Sequence, residues 1–472
     1  MNLARTGTQV AVTRGISSLV LFVGLAIYAR ELSPAVMGSF FVFRVVIDFF
    51  GLLTDFGLSG ATEKRISEGQ SPDGELLGTA LVLKTMFLLV AVAATLTFRE
   101  ALQSYIGFNV AIPLVVALTL KEFGWLFVHA MRGKLRIGET VGFELVRHVV
   151  WMSAGVTLVL VGFQFRGVLY GYLAGLGALF ALGAFRASIR FGRPSLEHAR
   201  SLLDFSKHNF VAEMGGYVYG WIDVAMIGFF LSQRDVGLYE YAWRVTVPML
   251  IIGNTITTML FPVISQWSTE GKTSEIEEAI STSLGVALYL AIPTMFGAIA
   301  VGEQLLRYLF ADPYAAASLV LTILTFEKAL QVVRNVFGPA LHGLDRPDLT
   351  ARATALTLVV NLGLNLLLIP RFGILGAAVA TTGSVLLSTA LHGAYLAANV
   401  SIDPPLRLLG WFTASGAVMT ACLLGLQSTV GINSLAAVIG AVALGAVIYF
   451  ALTIAIPDTR EDIIRPGFEV IR

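Results

Sequence analysis

The chain contains about fourteen apolar stretches, each near twenty residues long, joined by short polar loops. A helix rises 1.5 Å per residue and the hydrocarbon core of a bilayer is about 30 Å thick, so about twenty apolar residues suffice to cross it. Only 13% of the residues are charged, whereas a soluble chain carries about a quarter. The sequence therefore predicts an all-α polytopic membrane protein with about fourteen transmembrane helices.

The predicted spans leave no room for a sizeable soluble domain. They are 8–29, 34–56, 76–98, 109–130, 143–163, 166–187, 207–231, 236–263, 282–302, 315–336, 352–370, 373–398, 405–426 and 433–455. A polar stretch between the sixth and seventh spans is the natural boundary between two lobes. We predict an N-terminal lobe of residues 1–192, a C-terminal lobe of 193–400, two additional spans in 401–456, and a cytoplasmic tail of 457–472.

Lysine and arginine residues in the loops predict the orientation. The side that holds the N-terminus carries 18 of them and the opposite side carries 6. Loops rich in Lys and Arg stay in the cytoplasm, so we expect both termini to be cytoplasmic in the cell membrane. The single cysteine, Cys422, excludes a disulfide framework, and the absence of a basic block argues against nucleic-acid binding.

Three short motifs recur in the same order in the two predicted lobes. The pairs are LSPAVMGSF at 32–40 with LSQRDVGLY at 231–239, residues 133–140 with 343–350, and residues 167–169 with 373–375. In the first pair the offset is 199 residues, and Leu, Ser, Gly and an aromatic residue coincide. Spans one to six therefore repeat as spans seven to twelve. This predicts two pseudo-symmetric six-helix lobes in the same orientation, an architecture found in transporters.

The motif around Gly38 and Gly237 and the segment NLGLNLLLIPRFGILGAAVAT at 361–381 resemble the oligosaccharidyl-lipid flippases of the MATE-like superfamily, the polysaccharide transporter or Wzx-type group. The resemblance implies two lobes that form a V, open to one membrane side at a time. It implies alternating-access movement of a lipid-(di)phosphate-linked oligosaccharide from the cytoplasmic to the outer leaflet, for polysaccharide or glycan assembly. Membrane lipids are implied partners, and binding of glycan-assembly enzymes is left open.

The second motif also has a local physical interpretation. Pro370 has no backbone N–H and should end the eleventh span, while Gly373 allows the chain to reverse. The small residues that follow should form a surface for close helix packing; they are Gly376, Ala377, Ala378 and Ala380. We therefore interpret this motif as one that shapes the helical hairpin and its packing, and not as a binding site.

Ionisable residues within the spans are the candidate site residues, because a charge at the centre of a membrane costs about 2.5–3.5 kcal/mol and must face protein or water. In the resembling family, helices one, two, seven and eight face the central cavity. That selects Arg14, Arg44, Asp48, Glu213, Asp223, Glu240 and Arg244. The spacing of four residues between Arg44 and Asp48, and between Glu240 and Arg244, puts each pair on one helix face.

Guanidinium groups stay charged and bind phosphate oxygens through two donors. We therefore expect Arg14, Arg44 and Arg244 to hold the phosphate of a lipid carrier. The four carboxylates, Asp48, Glu213, Asp223 and Glu240, are candidates for contact with substrate or for proton or sodium coupling. The alternative, in which these charges only neutralise one another, stays open at this point.

Two further pairs of adjacent charges occupy the fourth and tenth spans. They are Lys121 with Glu122 and Glu327 with Lys328. Neighbouring residues on a helix point about 100° apart, so we expect each charge to find its partner on another helix of its own lobe.

Some of these sequence features also fit other functions of membrane proteins. A cation-coupled multidrug antiporter or a peptidoglycan-precursor flippase of the same superfamily would have similar spans. A membrane glycan polymerase or glycosyltransferase would need an exposed catalytic loop or paired carboxylates, but no predicted outer loop exceeds about a dozen residues and no Asp-x-Asp pair occurs. We therefore predict that the protein is not an enzyme and has no catalytic residues, metal or bound cofactor.

Overall fold

The computed structural model describes residues 3–188 and 191–460, and leaves the side chains of 3–9, 211–213, 218 and 252 outside the description. The described residues are almost entirely helical and contain no strand, which confirms the all-α prediction. They form two compact units, Met1–Gly237 and Leu238–Arg472. The lobe boundary drawn at 192/193 and the limits of the C-terminal segments stay predictions.

The first unit contains nine complete helices among its described residues and the beginning of a tenth. They are α1 Leu3–Glu31, α2 Pro34–Asp55, α3 Leu58–Glu68, α4 Asp73–Thr97, α5 Arg99–Ile106, α6 Ala111–Gly133, α7 Ile137–Leu158, α8 Gln164–Arg186, α9 Leu196–Phe230 and α10 Gln233–Thr246. A buried apolar cluster joins α3, α4, α6 and α8 through residues such as Leu58, Leu77, Leu126 and Leu179.

The second unit begins within α10 and, in the described chain, continues through six further long helices and a short one at Pro457–Thr459. The six long helices are α11 Leu250–Glu270, α12 Thr273–Leu309, α13 Ser318–Gly343, α14 Pro347–Ala397, α15 Leu406–Thr429 and α16 Leu435–Ile454. The last two helices pack on α12, where the Tyr449 hydroxyl donates to the Tyr289 carbonyl at 3.0 Å and Phe412 lies in the same buried cluster.

Within the described residues, ten helices are long and apolar enough to cross a membrane, or eleven if the bent pair 233–249 and 253–270 counts as one span. Two of the ten, 137–186 and 347–397, contain a glycine with non-helical dihedral angles. Each of these two is therefore a pair of helices, with breaks at Gly162 and Gly373. The protein is a multi-pass membrane protein, and the count of fourteen is compatible with these helices but stays a prediction.

The repeated Leu-Ser motif supplies equivalent helix caps. Ser33 accepts a hydrogen bond from the backbone N–H of Val36 at the start of α2, at 3.4 Å. Ser232 precedes α10, donates to the Asp235 carboxylate at 2.6 Å and accepts from the Asp235 backbone N–H at 3.4 Å. Serine is favoured at this position because its hydroxyl satisfies an N–H that has no partner inside the helix.

The second repeated motif forms the same tight turn twice. Leu135 and Asp345 both adopt positive φ, +60° and +58°, which residues other than glycine seldom do. The backbone N–H of Arg136 donates to the Met131 carbonyl, and 210 residues later that of Arg346 donates to the Leu341 carbonyl. The match therefore extends from sequence to backbone hydrogen bonds.

The third repeated motif lies at a helical hairpin in both units, but its aligned glycines differ in role. In α14 the chain reverses at Gly373, with φ +60° and ψ −142°. Asn361 and Ser384, 23 residues apart, are in consequence joined by a hydrogen bond of 3.1 Å. In the first unit the reversal is at Gly162, φ +94°, whereas Gly167 lies in helix α8 close to the Val159 backbone.

The small residues after Gly373 pack as predicted. A Cβ added at Gly376 would collide with the Leu368 carbonyl, and Ala377, Ala378 and Ala380 are fully buried. The expectation that Pro370 ends the span was wrong, because the helix continues through Pro370 as far as the reversal at Gly373.

Candidate functional site

Arg44 and Asp48 form the ion pair that their spacing on α2 predicts. Arg44 Nη2 donates to Asp48 Oδ2 at 3.4 Å. The other oxygen of the Asp48 carboxylate lies 2.9 Å from Lys121 Nζ, on α6. Asp48 therefore has two cationic partners, and its shorter contact is with the lysine rather than with the arginine.

Lys84 on α4 is the most deeply buried charge of the cluster, with a side chain that is 0% exposed. Its ammonium lies 2.5 Å from Asp55 Oδ1 and 3.0 Å from Glu122 Oε2, and it donates to the Ser59 hydroxyl at 2.9 Å. A buried ion is tolerated only when good partners replace its water shell. Two carboxylates and a hydroxyl supply that replacement here.

Lys121 joins these contacts into one network, because its ammonium is also 3.7 Å from Glu122 Oε1. We call this set the unit-one charge network. It consists of three cations, Arg44, Lys84 and Lys121, and three carboxylates, Asp48, Asp55 and Glu122. Its formal charges cancel, and the predicted cross-helix partners of Lys121 and Glu122 are confirmed.

Aromatic rings surround the Arg44 guanidinium. Its central carbon lies 5.8 Å from the ring centroid of Trp151, 5.1 Å from that of Tyr172 and 5.6 Å from that of Trp221. These rings belong to three different helices, α7, α8 and α9. Contact between a cation and an aromatic face contributes about 0.5–2 kcal/mol, so the rings help to hold the guanidinium at this depth.

A cavity of about 270 Å³ opens beside the network. Its lining residues follow one face of each contributing helix at spacings of three or four residues, as expected for helical stripes. They are Asp48, Gly51, Leu52 and Asp55 of α2, Ser59 of α3, Lys121, Glu122, Trp125 and His129 of α6, and Tyr217 and Trp221 of α9.

Hydrogen bonds to backbone carbonyls hold α9 in the first unit. The Tyr217 hydroxyl donates to the Val45 carbonyl at 2.6 Å, and the Tyr105 hydroxyl donates to the Ala225 carbonyl at 2.7 Å. The α9 wall of the cavity is thus fixed in position relative to α2.

His129 lies at the edge of the cavity and contacts a carboxylate on α3. Its Nδ1 is 2.6 Å from Glu63 Oε2, and this hydrogen bond lowers the pKa of the Glu63 carboxyl. The pair links the end of α6 to the polar helix α3.

In the second unit, Glu240 and Arg244 form the other predicted pair, with 2.8 Å between Oε2 and Nη2. Glu327 and Lys328 do not follow the expectation for neighbours, because their Oε2 and Nζ lie 2.8 Å apart. Lys328 also donates to Gln331 at 3.1 Å and lies over the Trp243 ring. Long, flexible side chains here overcome the angular separation along the helix.

The remaining predicted site residues occupy different environments. Arg14 is exposed on α1, and Asp223 is half-buried on α9. The side chain of Glu213 lies outside the described residues. The assignment of Glu213 to the site therefore stays a prediction.

Sequence reasoning missed four of the six members of the unit-one charge network as site residues: Asp55, Lys84, Lys121 and Glu122. It selected only helices one, two, seven and eight, whereas the cavity also uses the fourth span. One sequence signal was present, since Trp125 and His129 follow Lys121 at intervals of four residues on the same helix face.

Two family models match this chain. The model described as "Polysaccharide biosynthesis protein" matches residues 27–319, and the one described as "Lipid II flippase MurJ" matches residues 218–451.

Individual proteins match over most of their length. The "Probable low-salt glycan biosynthesis flippase Agl15" of Haloferax volcanii is 38% identical over 461 residues, which is 98% of each chain. The "Probable flippase AglR" of the same organism is 26% identical over 88% of this chain and 89% of its own. A structure of the lipid II flippase MurJ in its inward closed conformation superposes with a TM-score of 0.78, covering 94% of this chain and 97% of that one at 13% identity, which indicates a shared fold.

Proposed function

This chain belongs to the polysaccharide biosynthesis protein family, and on that premise we propose that it is a flippase for a lipid-(di)phosphate-linked oligosaccharide. The cargo moves intact from the cytoplasmic to the outer leaflet, by alternating access and without a covalent step. The observation that carries the proposal is the match to a glycan biosynthesis flippase over 98% of both chains. The predicted resemblance to Wzx-type flippases is confirmed by these comparisons.

The unit-one charge network supports this function on physical grounds. Six ionisable groups lie together among apolar helices, and such groups within a membrane mark a route for polar cargo. A sugar-phosphate headgroup needs such an environment while its lipid tail stays in the bilayer.

We assign the cargo phosphate to the three arginines predicted from sequence, Arg14, Arg44 and Arg244. Arg44 supports the assignment because its guanidinium lies over the ring of Trp221, which lines the cavity, and because its partner Asp48 is shared with Lys121. Arg244 is paired with Glu240 at 2.8 Å, so phosphate there must compete with a carboxylate.

The carboxylates are assigned to sugar hydroxyls or to a coupling ion, either a proton or sodium. Asp48, Glu213, Asp223 and Glu240 are the candidates.

We further propose that the protein lies in the cell membrane with both termini cytoplasmic, as the bias of 18 to 6 loop cations supports. Glycan-assembly enzymes are candidate binding partners of this protein.

A transport assay with purified protein in liposomes tests the assignment. The probe is a fluorescent lipid diphosphate oligosaccharide whose arrival in the opposite leaflet is followed by quenching. We expect Arg44→Ala and Arg244→Ala each to slow transport about tenfold or more, because a charge-assisted hydrogen bond contributes about 1.5–3 kcal/mol. Arg99→Ala, at an exposed arginine, should transport normally.

Two results would contradict the proposal. Full transport by both arginine variants would remove those residues from the headgroup site. Failure of the wild-type protein to move the probe under any proton or sodium gradient would argue against the flippase function itself.

A second candidate is a peptidoglycan-precursor flippase, which the match of the MurJ family model to residues 218–451 favours. The same assay separates the two candidates. Fluorescent lipid II would then be transported faster than other lipid diphosphate oligosaccharides.

A further inference from the structure

The cavity beside the unit-one charge network is lined by two kinds of side chain, which we call its aromatic walls and its charged floor. Trp125, Tyr217 and Trp221 contribute flat aromatic rings, while Asp48, Asp55, Lys121 and Glu122 contribute charged groups. Apolar walls with a few convergent polar groups are the usual composition of a small-molecule site. The volume of about 270 Å³ is just below the range of about 300–1,000 Å³ that is typical of pockets for drug-sized ligands, which suits a single small polar ring.

The aromatic walls are held in place by contacts outside the cavity. The Tyr217 hydroxyl donates its hydrogen bond to the Val45 carbonyl. The Tyr217 ring therefore presents an apolar surface. The Trp125 ring lies 5.7 Å from the Arg132 guanidinium and 5.8 Å from that of Arg147. Rings that are fixed before a ligand arrives bind it with a smaller loss of entropy. A flat apolar face of this kind is complementary to the C–H face of a pyranose.

The charged floor favours a ligand that has no net charge. Every carboxylate of the floor lies against at least one lysine, and the network as a whole has three cations and three carboxylates. An anionic ligand would meet the three carboxylates and would have to displace one of them from a lysine. Sugar hydroxyl groups can bind without breaking these ion pairs, because an ionised carboxylate accepts several hydrogen bonds and an ammonium donates three.

We propose that this cavity is a subsite for one uncharged sugar ring of the cargo, bound between the aromatic walls and the charged floor. The inference rests on the proposed flippase function and adds a ligand class to it. Within the first unit, it assigns the phosphate to Arg44 and the sugar to the cavity. Arg44 lies over Trp221, which is a wall residue, so a sugar in the cavity and a phosphate at Arg44 would be neighbours.

Saturation-transfer difference NMR on the detergent-solubilised full-length protein tests the subsite. The probes are methyl mannoside, methyl glucoside and methyl galactoside, with methyl glucuronide and inorganic pyrophosphate as charged competitors. We expect at least one uncharged glycoside to receive saturation at its ring protons. Methyl glucuronide should receive none, and pyrophosphate should not displace the uncharged glycoside.

Trp221→Leu removes one aromatic wall and should weaken glycoside binding about tenfold, because the stacked face is lost. Trp221→Phe keeps a ring and should retain part of the affinity. Trp411→Leu is the matched control, because Trp411 lies on α15 in the second unit and is 46% exposed. An unchanged thermal unfolding midpoint identifies variants that are folded.

The outcomes separate this inference from the flippase proposal. Glycoside binding that is equal in Trp221→Leu and Trp411→Leu, binding of methyl glucuronide or pyrophosphate alone, or no binding by the folded wild-type protein would each overturn the subsite. If the lipid-linked probe is nevertheless transported, the flippase function stands. Trp221-dependent glycoside binding without transport would instead support the subsite and contradict the flippase function.

Discussion

Gly38 and Gly237 face each other where α2 and α10 begin, within the first unit. A Cβ at Gly38 would collide with the Gln233 carbonyl and would lie 2.9 Å from the Gly237 backbone nitrogen; a Cβ at Gly237 would collide with the Pro34 carbonyl. The two glycines are the equivalent residues of the repeated motif, 199 residues apart. Their missing side chains let the two helix ends approach through backbone contacts, as small residues do in membrane helix packing.

We expect Gly38→Ala and Gly237→Ala each to destabilise the protein by about 1–3 kcal/mol, the usual cost of inserting a group into a packed site. The obstacle is backbone in both cases, which cannot rotate away. Thermal unfolding of the solubilised protein measures the effect. Gly142→Ala is the control, because a Cβ there meets nothing within 4 Å; equal midpoints for all three variants would contradict the packing role.

Lys84→Met should destabilise the protein by about 3–5 kcal/mol, because it leaves Asp55 and Glu122 without their buried cation. Chemical or thermal denaturation of the solubilised protein measures this. Lys64→Met, which removes a half-exposed lysine paired with Glu68 on one helix, should have little effect.

A double variant distinguishes loss of charge balance from loss of packing at Lys84. Lys84→Met combined with Glu122→Gln should be more stable than the sum of the single effects predicts, since one of the two carboxylates that lost Lys84 is removed. Strict additivity would show that the ion pair is not what makes Lys84 important.

Gly51→Ala should alter the site more than the stability. A Cβ at Gly51 would lie 2.5 Å from Lys121 Nζ and 2.7 Å from Glu122 Oε1. Both atoms are ends of flexible side chains, so they can shift, but Lys121 would then move away from Asp48. We expect a severalfold fall in transport with an almost unchanged unfolding midpoint, and wild-type transport by this variant would exclude a positioning role for Lys121.

Gly373→Ala should destabilise the second unit by about 1–3 kcal/mol, because φ +60° with ψ −142° is a region that essentially only glycine adopts. Gly363→Ala, on the same α14 but in open space, should be neutral or stabilising by up to about 1 kcal/mol. Comparison of the two unfolding midpoints tests whether the hairpin reversal depends on Gly373.

Much of the helical framework could be predicted from the sequence, because local physics decides it. Apolar length gives the membrane helices, Ser33 and Ser232 give equivalent caps, and Gly373 gives a hairpin. The pairs Arg44–Asp48 and Glu240–Arg244 follow from a spacing of one helical turn. Such features depend on residues that are near one another in the chain, so their geometry is fixed by the helix itself.

The cavity could not be predicted in this way. Lys84 and Asp55 are 29 residues apart and on different helices, and nothing in their sequence neighbourhoods selects one as the partner of the other. Lys121 was expected to pair across helices, but the choice of Asp48 depends on how closely α6 packs against α2 at Gly51. Packing of this kind is decided by the whole unit.

The amino-acid sequence is sufficient to predict a helical membrane protein with two repeated sets of spans and with charges that must be buried away from lipid, because an exposed backbone or charge in hydrocarbon is costly. Which of those charges form ion pairs depends on the packing of the helices. Ion pairing between helices depends on distances of a few ångströms, and those are set by side-chain packing among segments that lie far apart in the chain.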